Sequence, residues 1–478
     1  MASPIEVVIM AAGKGTRMKS KLPKVLHRLG GRALLGHVLD CAASLAARRV
    51  VVITGHQAEI VETACAALVA SPIVSDVAMD IKFARQEPQL GTGHAVLQAL
   101  PQLSDDGVTL VLSGDVPLTQ TDTLMALLAE CDGQRLALLT LKMDNPAGYG
   151  RIVRAGDQPS SQVSAIVEQK DANAEQRKIQ EIYSGIMAVP TRFLRQWLAR
   201  LGNNNAQKEY YLTEIVKFAA EDGVAVVAHQ IDDAVQVAGV NSPVQLAELE
   251  RAFQQRQALR LMEQGVRLAD PARFDLRGSL SCGQDVEIDV NCVFEGAVKL
   301  ADGVRVGANC VMANCSIGEG VVIHPFTHID GETLGVSVGE GSLIGPFARL
   351  RPGAQLGAEV HIGNFVEVKN SILAKGAKAN HLAYLGDATV GERVNIGAGS
   401  ITANYDGANK HRTVIGDDVH IGSNSVLVAP VTIGQGGTVG AGSTITKSTP
   451  EDSLSVVRAK QISLAGWQRP QKNLKSGA

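Results

Sequence analysis

Aromatic side chains make up only 4% of this 478-residue sequence, with 2 Trp, 6 Tyr and 9 Phe. That scarcity argues against a core built on rings and leaves Ile, Val and Leu to fill the interior, within a hydrophobic share of 45%. Net charge is also slight. The 45 basic and 48 acidic residues balance to -3, which excludes a general nucleic-acid binder and leaves any anionic ligand to local cations. No run approaches the ~18 apolar residues of a membrane span, and Met1 to Glu6 show no basic region followed by an apolar one. Cys41, Cys65, Cys131, Cys282, Cys292, Cys310 and Cys315 are scattered with no C-x-x-C pair, so free thiols in a reducing compartment are expected. These absences predict a soluble, cytoplasmic protein with neither a nucleic-acid partner nor a membrane span. Its length predicts two domains, or else three.

What is present is a period of six. Aliphatic residues recur at Val338, Ile344, Leu350, Leu356, Ile362 and Val368, and again at Ile415, Ile421, Leu427, Ile433, Val439 and Ile445. Neither a helix nor an ordinary strand has that period. Hexapeptide repetition marks a parallel β-helix, in which short strands form the faces of a prism and one aliphatic side chain per face fills it. Such a prism could be no more than a spacer or a trimerising stem, so function has to come from its interruptions.

The first 240 residues read differently. Apolar runs Val7 to Met10, Val50 to Ile53 and Val108 to Leu112 predict buried parallel strands, with helices such as Gln57 to Val69 and Thr92 to Leu100 between them. The fold class is therefore α/β, a Rossmann-like layered domain followed by a left-handed β-helix. Ser242-Pro243 reads as a helix cap and first turn, with Leu246, Leu249 and Phe253 at helical spacing behind it. The expected division is 1–241, a linker helix 242–265, and a β-helix with its tail over 266–478.

The string AAGKGTRM, Ala11 to Met18, follows the first strand and runs on to Leu22-Pro23-Lys24. Small residues let backbone N–H groups approach a phosphate, and Lys14, Arg17 and Lys24 supply charge. It is neither a dinucleotide fingerprint, whose third glycine is replaced by Met18, nor a P-loop. Gln86 and Leu90-Gly91-Thr92-Gly93 offer donors suited to a nucleobase, or simply a capped helix start. Ser113-Gly114-Asp115 puts a carboxylate at a strand's carboxyl end, where Mg²⁺ could be held with substrate phosphates, or where an aspartate merely caps.

In the second half the hexads lapse between Val368 and Val390, and between Thr402 and Ile415. His381, Tyr384 and Asp387 fall in the first lapse, which reads as an insertion carrying the histidine outward. Three hexads make one coil of ~18 residues, so Arg351 and Lys369 should lie one above the other as a cationic cleft for a sugar phosphate. A histidine titrates near neutral pH and suits a general base, although a lone histidine is more often structural than catalytic. Asn404-Tyr405-Asp406-Gly407 in the second lapse reads alone as a surface turn.

The strand with AAGKGTRM and Pro23-Lys24 resembles the sugar-phosphate nucleotidyltransferase signature. Over its whole length the chain resembles the bacterial bifunctional UDP-N-acetylglucosamine pyrophosphorylases and glucosamine-1-phosphate N-acetyltransferases. The resemblance implies uridine-nucleotide and sugar contacts at Met10, Ala11, Ala12, Gly13, Lys24, Gln86, Gly91, Thr92, Ser113, Gly114, Asp115, Gly150, Glu168, Tyr183 and Asn241, with Mg²⁺ on Asp115 and Asn241. Two positions depart from the best-known members, which carry a tyrosine before Gly114 and an asparagine before Ser184 where this chain has Ser113 and Tyr183. For the β-helix it implies His381 as general base, glucosamine-1-phosphate on Arg351, Lys369, Tyr384 and Asn395, and acetyl-CoA along Ala398, Asn404, Tyr405, Ser423, Ala441 and Arg458. Asn404 and Tyr405 could equally belong to the sugar and acetyl contacts. Acetyl-CoA and UTP are the implied co-substrates, and a homotrimer is implied because such prisms bind CoA between neighbours. The implied product, UDP-N-acetylglucosamine, is a precursor of peptidoglycan and lipopolysaccharide. Two other readings stand beside this one: a single-activity sugar nucleotidyltransferase with a structural or regulatory β-helix, and a non-catalytic sugar-nucleotide scaffold.

Overall fold

The computed structural model describes residues 3–70, 79–156 and 161–470. Most of the polar tail expected from Gln468 onward, residues 471–478, lies outside them, as do the first two residues. The chain divides into two compact units, Met1–Arg260 with Leu276–Ser279, and Leu261–Asp275 with Leu280–Ala478.

In the first unit the apolar runs become the central strands Ile5–Met10, Arg49–Thr54 and Val108–Ser113. Val7, Val8, Val50, Val51, Leu110 and Val111 are fully buried, which is why the runs are apolar on both faces. The sheet order is Val226–Ile231, Leu136–Lys142, Glu181–Pro190, Val108–Ser113, Ile5–Met10, Arg49–Thr54, Ile81–Arg85. Glu181–Pro190 runs antiparallel to both neighbours, while the other adjacent pairs run parallel. From Ile5–Met10 the chain first builds outward on one side and then crosses to Val108–Ser113 on the other. That reversal opens a crevice at the carboxyl ends of these two strands, where α/β sheets take their ligands. The helix Pro243–Glu263 begins at the expected cap, with Ser242 Oγ accepting from the Gln245 N–H at 3.3 Å. Its Leu249 is buried in a cluster with Met18, Leu29, Leu34, Leu118 and Val240, and Leu246 and Phe253 pack at the edge.

The second unit is a parallel β-helix. One face is the 11-stranded sheet from Arg267–Leu268 to Leu454–Ser455, and the other two are the arms of a 16-stranded sheet. Ile344 and Leu350 sit fully buried inside the prism, as do Leu356, Ile362 and Val368 to within 4%. Each such side chain contributes about 1.5–3 kcal/mol of hydrophobic stabilisation.

The ladder register corrects the reading of the first lapse. Ile344 pairs with Ile362, and Leu350 with Val368, at the expected 18. Ile362 then pairs with Ala379, and Val368 with Leu385, at 17. This lapse is a coil shortened by one residue, not an insertion, and the hexad is hidden because Ala379 stands where an Ile or Leu is expected. The second lapse is a true insertion, since Thr402 pairs with Leu427, 25 positions on.

Candidate active sites

At the crevice of the first unit, backbone geometry does most of the positioning. The Gly114 N–H donates to the Met10 carbonyl at 2.9 Å and the Ala11 N–H to the Ile53 carbonyl at 2.9 Å, so the glycine loop starts flush with the strand ends. The Gln89 Nε2 donates to the Ala12 carbonyl at 2.6 Å. A side chain at Gly13 would meet nothing within 4 Å, which leaves that backbone open for an anion to approach. Gly15 has φ +57°, and a Cβ there would come within 2.7 Å of Lys24 Cβ; the glycine lets the loop turn in under the lysine.

Lys24 is the hub. Its Nζ donates to Asp115 Oδ2 at 2.5 Å and to Asn241 Oδ1 at 3.1 Å. Asn241 arrives there because the Val240 N–H donates to the Asp115 carbonyl at 2.9 Å. Two hard oxygen donors thus converge on one cation, the ammonium standing where a metal ion would be drawn. A carboxylate and a carboxamide with substrate phosphates are the donor set Mg²⁺ accepts. Among the described residues there is no group of three or more His, Cys, Asp or Glu suited to a metal, so any metal here leans on its substrate.

Gln86 and Thr92 are joined through one loop. Gln86 Nε2 donates to the Gly91 carbonyl at 2.9 Å, and the Leu212 N–H donates to Thr92 Oγ1 at 3.1 Å. Gly91 has φ +110°, and a Cβ there would press on the Tyr210 carbonyl at 2.7 Å. Gly150, Glu168 and Tyr183 form a second group. Tyr183 pairs with Gly150 across the strands, and a Cβ on Gly150 would lie 3.7 Å from the Glu168 carboxylate. Thr213 Oγ1 donates to Glu168 at 2.9 Å. Burial raises the Glu168 carboxyl above the ordinary range, opposed by the Thr213 hydrogen bond. Burial also pushes Tyr183 up, with the Glu168 charge adding to it, and its hydroxyl is buried without a hydrogen-bond partner. A side chain on Gly185, two residues along the same strand, would reach Ser113 Oγ at 3.9 Å, so the departing positions Ser113 and Tyr183 lie close along the sheet.

In the β-helix, Leu350 and Val368 pair in register, and Arg351 and Lys369 follow them on adjacent coils. Lys410, from the Thr402–Ile415 insertion, lies against Lys369 and, with burial and Arg351, lowers that ammonium below the usual lysine range. The Asp387 charge offsets this only in part. Arg351 Nη1 also donates to Glu367 Oε1 at 2.8 Å, which raises the guanidinium. Tyr384 lies over Gly386, where any Cβ would collide with its hydroxyl.

His381 is exposed at the prism corner, and its Nδ1 lies 2.8 Å from Asn364 Oδ1 one coil earlier. Adjacent N–H to carbonyl bonds connect Phe347 to Pro325, Phe365 to Phe347, Leu382 to Asn364, Gly399 to Leu382, Asn424 to Ala398 and Gly442 to Ser423. One edge therefore carries, in succession, the residues Pro325-Phe326, Pro346-Phe347, Asn364-Phe365, His381-Leu382, Ala398-Gly399, Ser423-Asn424 and Ala441-Gly442. A Cβ on Gly442 would meet Arg458 Cδ at 3.7 Å, continuing the line. On the coils after His381 the corner carries the small residues Ala398, Gly399, Ser423, Ala441 and Gly442; on the coils before it, Phe326, Phe347 and Phe365 stack at 5.0 and 5.4 Å. Asn395 is not on the face of Arg351, Lys369 and Tyr384. It lies on the adjoining 11-stranded face, beside Lys378 and His420. Tyr405 is exposed, while Asn404 is buried and donates through Nδ2 to Asp387.

Lys410, Asn364 and Thr213 went unnoticed in the sequence. A 17-residue ruler would have found Asn364 beneath His381, but no period reaches Lys410 inside an insertion.

A phosphate-type loop at a sheet switch point, in one chain with a hexapeptide prism, defines a nucleotidyltransferase joined to a hexapeptide transferase. Family models agree: residues 7–183 match the MobA-like NTP transferase domain, and residues 335–370 and 412–447 match the bacterial transferase hexapeptide (six repeats). Relatives matching nearly end to end narrow this further. The bifunctional protein GlmU of Polaromonas sp. is 78% identical over 476 residues, 99% of both chains, and that of Polaromonas naphthalenivorans is 76% identical over 469 residues, 98% of both. The Paracidovorax citrulli protein of the same name is 68% identical over 481 residues, 98% of this chain and 99% of the relative. The chain belongs to the GlmU family of bifunctional proteins and is a bifunctional transferase. A solved UDP-glucose pyrophosphorylase complexed with UDP-glucose, 15% identical, covers 53% of this chain and 99% of that one with a TM-score of 0.43, a likeness too slight to argue from.

Proposed function

We propose that the chain makes UDP-N-acetylglucosamine in two steps, acetylating glucosamine-1-phosphate in the β-helix (266–478) and uridylylating the product in the α/β domain (1–241), with 242–265 as linker. The observation supporting this is that each unit holds its own polar cluster built for a phosphorylated ligand: Lys24 with Asp115 and Asn241, and Arg351 with Lys369 and Lys410.

In the first step the sugar amine attacks the thioester carbonyl of acetyl-CoA. A C–N bond forms, the C–S bond breaks, and the leaving thiolate takes up a proton. His381 Nδ1–H donating to Asn364 Oδ1 leaves Nε2 as the lone pair that removes the amine proton. Arg351, Lys369 and Lys410 hold the phosphate, and Tyr384 lies along the same face as the hexose. Ala398, Ser423, Ala441 and Arg458 would line the acetyl-CoA groove, with Asn404 and Tyr405 at its acyl end.

In the second step a phosphate oxygen of N-acetylglucosamine-1-phosphate attacks the α-phosphorus of UTP and pyrophosphate leaves. Met10 to Gly13 and Gly114 present backbone to the nucleotide, Lys24 meets phosphate charge, Gln86, Gly91 and Thr92 meet the base, and Gly150, Glu168 and Tyr183 meet the sugar. Mg²⁺ held by Asp115 and Asn241 would neutralise the triphosphate. Little covalent work falls to the protein; positioning and charge carry the rate.

The assembly in this reading is a homotrimer, supported by the exposed stack Phe326, Phe347 and Phe365 beside His381 and by Asn395 lying on the neighbouring face, where a second copy could present it. Among the described residues no helix is long and apolar enough to cross a membrane, and the working compartment in this reading is the cytoplasm. The test is His381→Ala, which should abolish acetylation of glucosamine-1-phosphate yet leave UTP-dependent pyrophosphate release intact. Loss of both activities would contradict two separate sites.

A further inference from the structure

Asp387 is a buried carboxylate, only 7% exposed, whose side-chain partners among the described residues are amides and not arginine or lysine. Its oxygens are instead shared between two side-chain amides: Asn370 Nδ2 donates to Oδ1 at 2.5 Å, and Asn404 Nδ2 donates to Oδ2. Asn370 and Asp387 both occupy left-handed corners, φ 45° and 49°, on successive coils, with Asn404 on the next. These three side chains form a ladder along one edge, with Gly353 above it, where a Cβ would crowd Asn370 Oδ1 at 3.1 Å.

The ladder ends where the insertion begins. Asn404 opens the excursion, its carbonyl accepts from the His411 N–H at 2.8 Å, and the Asp387 carbonyl accepts from the Thr413 N–H at 3.2 Å as the chain returns. Within the excursion, Asp406 accepts from the N–H groups of Ala408 and Asn409 at 2.8 and 2.7 Å, and Tyr405 bridges to Lys410. The excursion is thus internally tied and joined to the prism at two places: at Asp387, through Asn404 and the Thr413 N–H, and at Arg412, which donates to Thr389 Oγ1 at 2.8 Å and the Ala388 carbonyl at 3.2 Å. A carboxylate can accept from two amides at once; an amide in its place would set one NH₂ against another.

We infer that Asp387 is a positioning residue for acetyl transfer: by holding Asn404 it helps fix the excursion that brings Lys410 against Lys369. This rests on the reading of that cluster as the sugar-phosphate site. Asp387 itself touches no substrate. Its charge also lies near Lys369, so a loss of activity on removing it could come from charge alone, and the variants are chosen to separate the two effects.

The experiment compares Asp387→Asn, Lys410→Ala and the double variant in the full-length protein. Asp387→Asn should raise the KM for glucosamine-1-phosphate roughly tenfold or more, with a smaller change in kcat and unchanged uridylyl transfer. In the Lys410→Ala background the same substitution should add less than about twofold, because the lysine it places is gone. Amide exchange across residues 404–413 should quicken in Asp387→Asn while the coils 338–368 stay protected. Fully additive effects on KM, or unchanged exchange across 404–413, would overturn the positioning role. Failure of the wild type to acetylate glucosamine-1-phosphate would overturn the functional reading instead, and the exchange result would still decide whether Asp387 holds the excursion.

Discussion

Three residues carry the proposed chemistry of the first unit. Lys24 donates to both Asp115 and Asn241, so in this reading it supplies charge beside the two oxygens. Replacing it by Ala should lower uridylyl-transfer kcat/KM by about 100-fold, close to 2.7 kcal/mol of transition-state stabilisation, as measured by pyrophosphate release, with acetyl transfer unaffected. Glu168 is the opposite case, a carboxyl that burial raises above its ordinary value near 4.5. Between that value and its raised folded one, the folded state keeps a proton the unfolded state has lost. Its favourable contribution is present below the ordinary value and is lost as pH rises through the folded value. Glu168→Gln should therefore raise the melting temperature of the first unit at pH 7, with the gain vanishing near pH 4, while the KM for sugar phosphate worsens. No gain at pH 7 would show that the buried charge costs nothing.

At the scale of elements, the β-helix tolerates little change at its tight corners. A Cβ on Gly363 would run into the backbone carbonyl of Asn380, directly beneath the Asn364 and His381 pair. Gly363→Ala should cost about 2–3 kcal/mol in denaturant unfolding of the β-helix, by overpacking against backbone that cannot rotate away. It should also lower acetyl transfer by shifting the Asn364 side-chain oxygen that accepts from His381 Nδ1–H.

The same element shows how far sequence carries. The six-residue period was enough to give the prism and to set Arg351 beside Lys369, because interior packing enforces the period directly. It mistook the shortened coil for an insertion because Ala379 blanks one hexad, and a single missing residue looks the same as a loop when read only by spacing. In the first unit the strands and the glycine loop were legible from apolar runs and small residues. The contact between Lys24 and Asn241 was not, since it joins residues 217 positions apart through sheet topology. The family resemblance named both residues, Lys24 for the nucleotide and Asn241 with Asp115 for Mg²⁺, but not the contact between them. Lys410 was legible by neither route, because an insertion has no register to follow.

For the whole molecule, assembly and division of labour belong together. Phe326, Phe347 and Phe365 form an exposed stack, and if the proposed homotrimer covers it, light scattering should give three times the 50.3 kDa chain mass. Phe347→Ser with Phe365→Ser should shift that mass toward monomer and weaken acetyl transfer more than uridylyl transfer. The most direct test of the central claim, two independent sites serving one product, is to mix the His381→Ala and Asp115→Ala proteins with glucosamine-1-phosphate, acetyl-CoA, UTP and Mg²⁺ and identify the sugar nucleotide formed. The account predicts no UDP-N-acetylglucosamine from either variant alone and its formation by the mixture. A mixture that stays inactive, or either variant forming the product unaided, would contradict it.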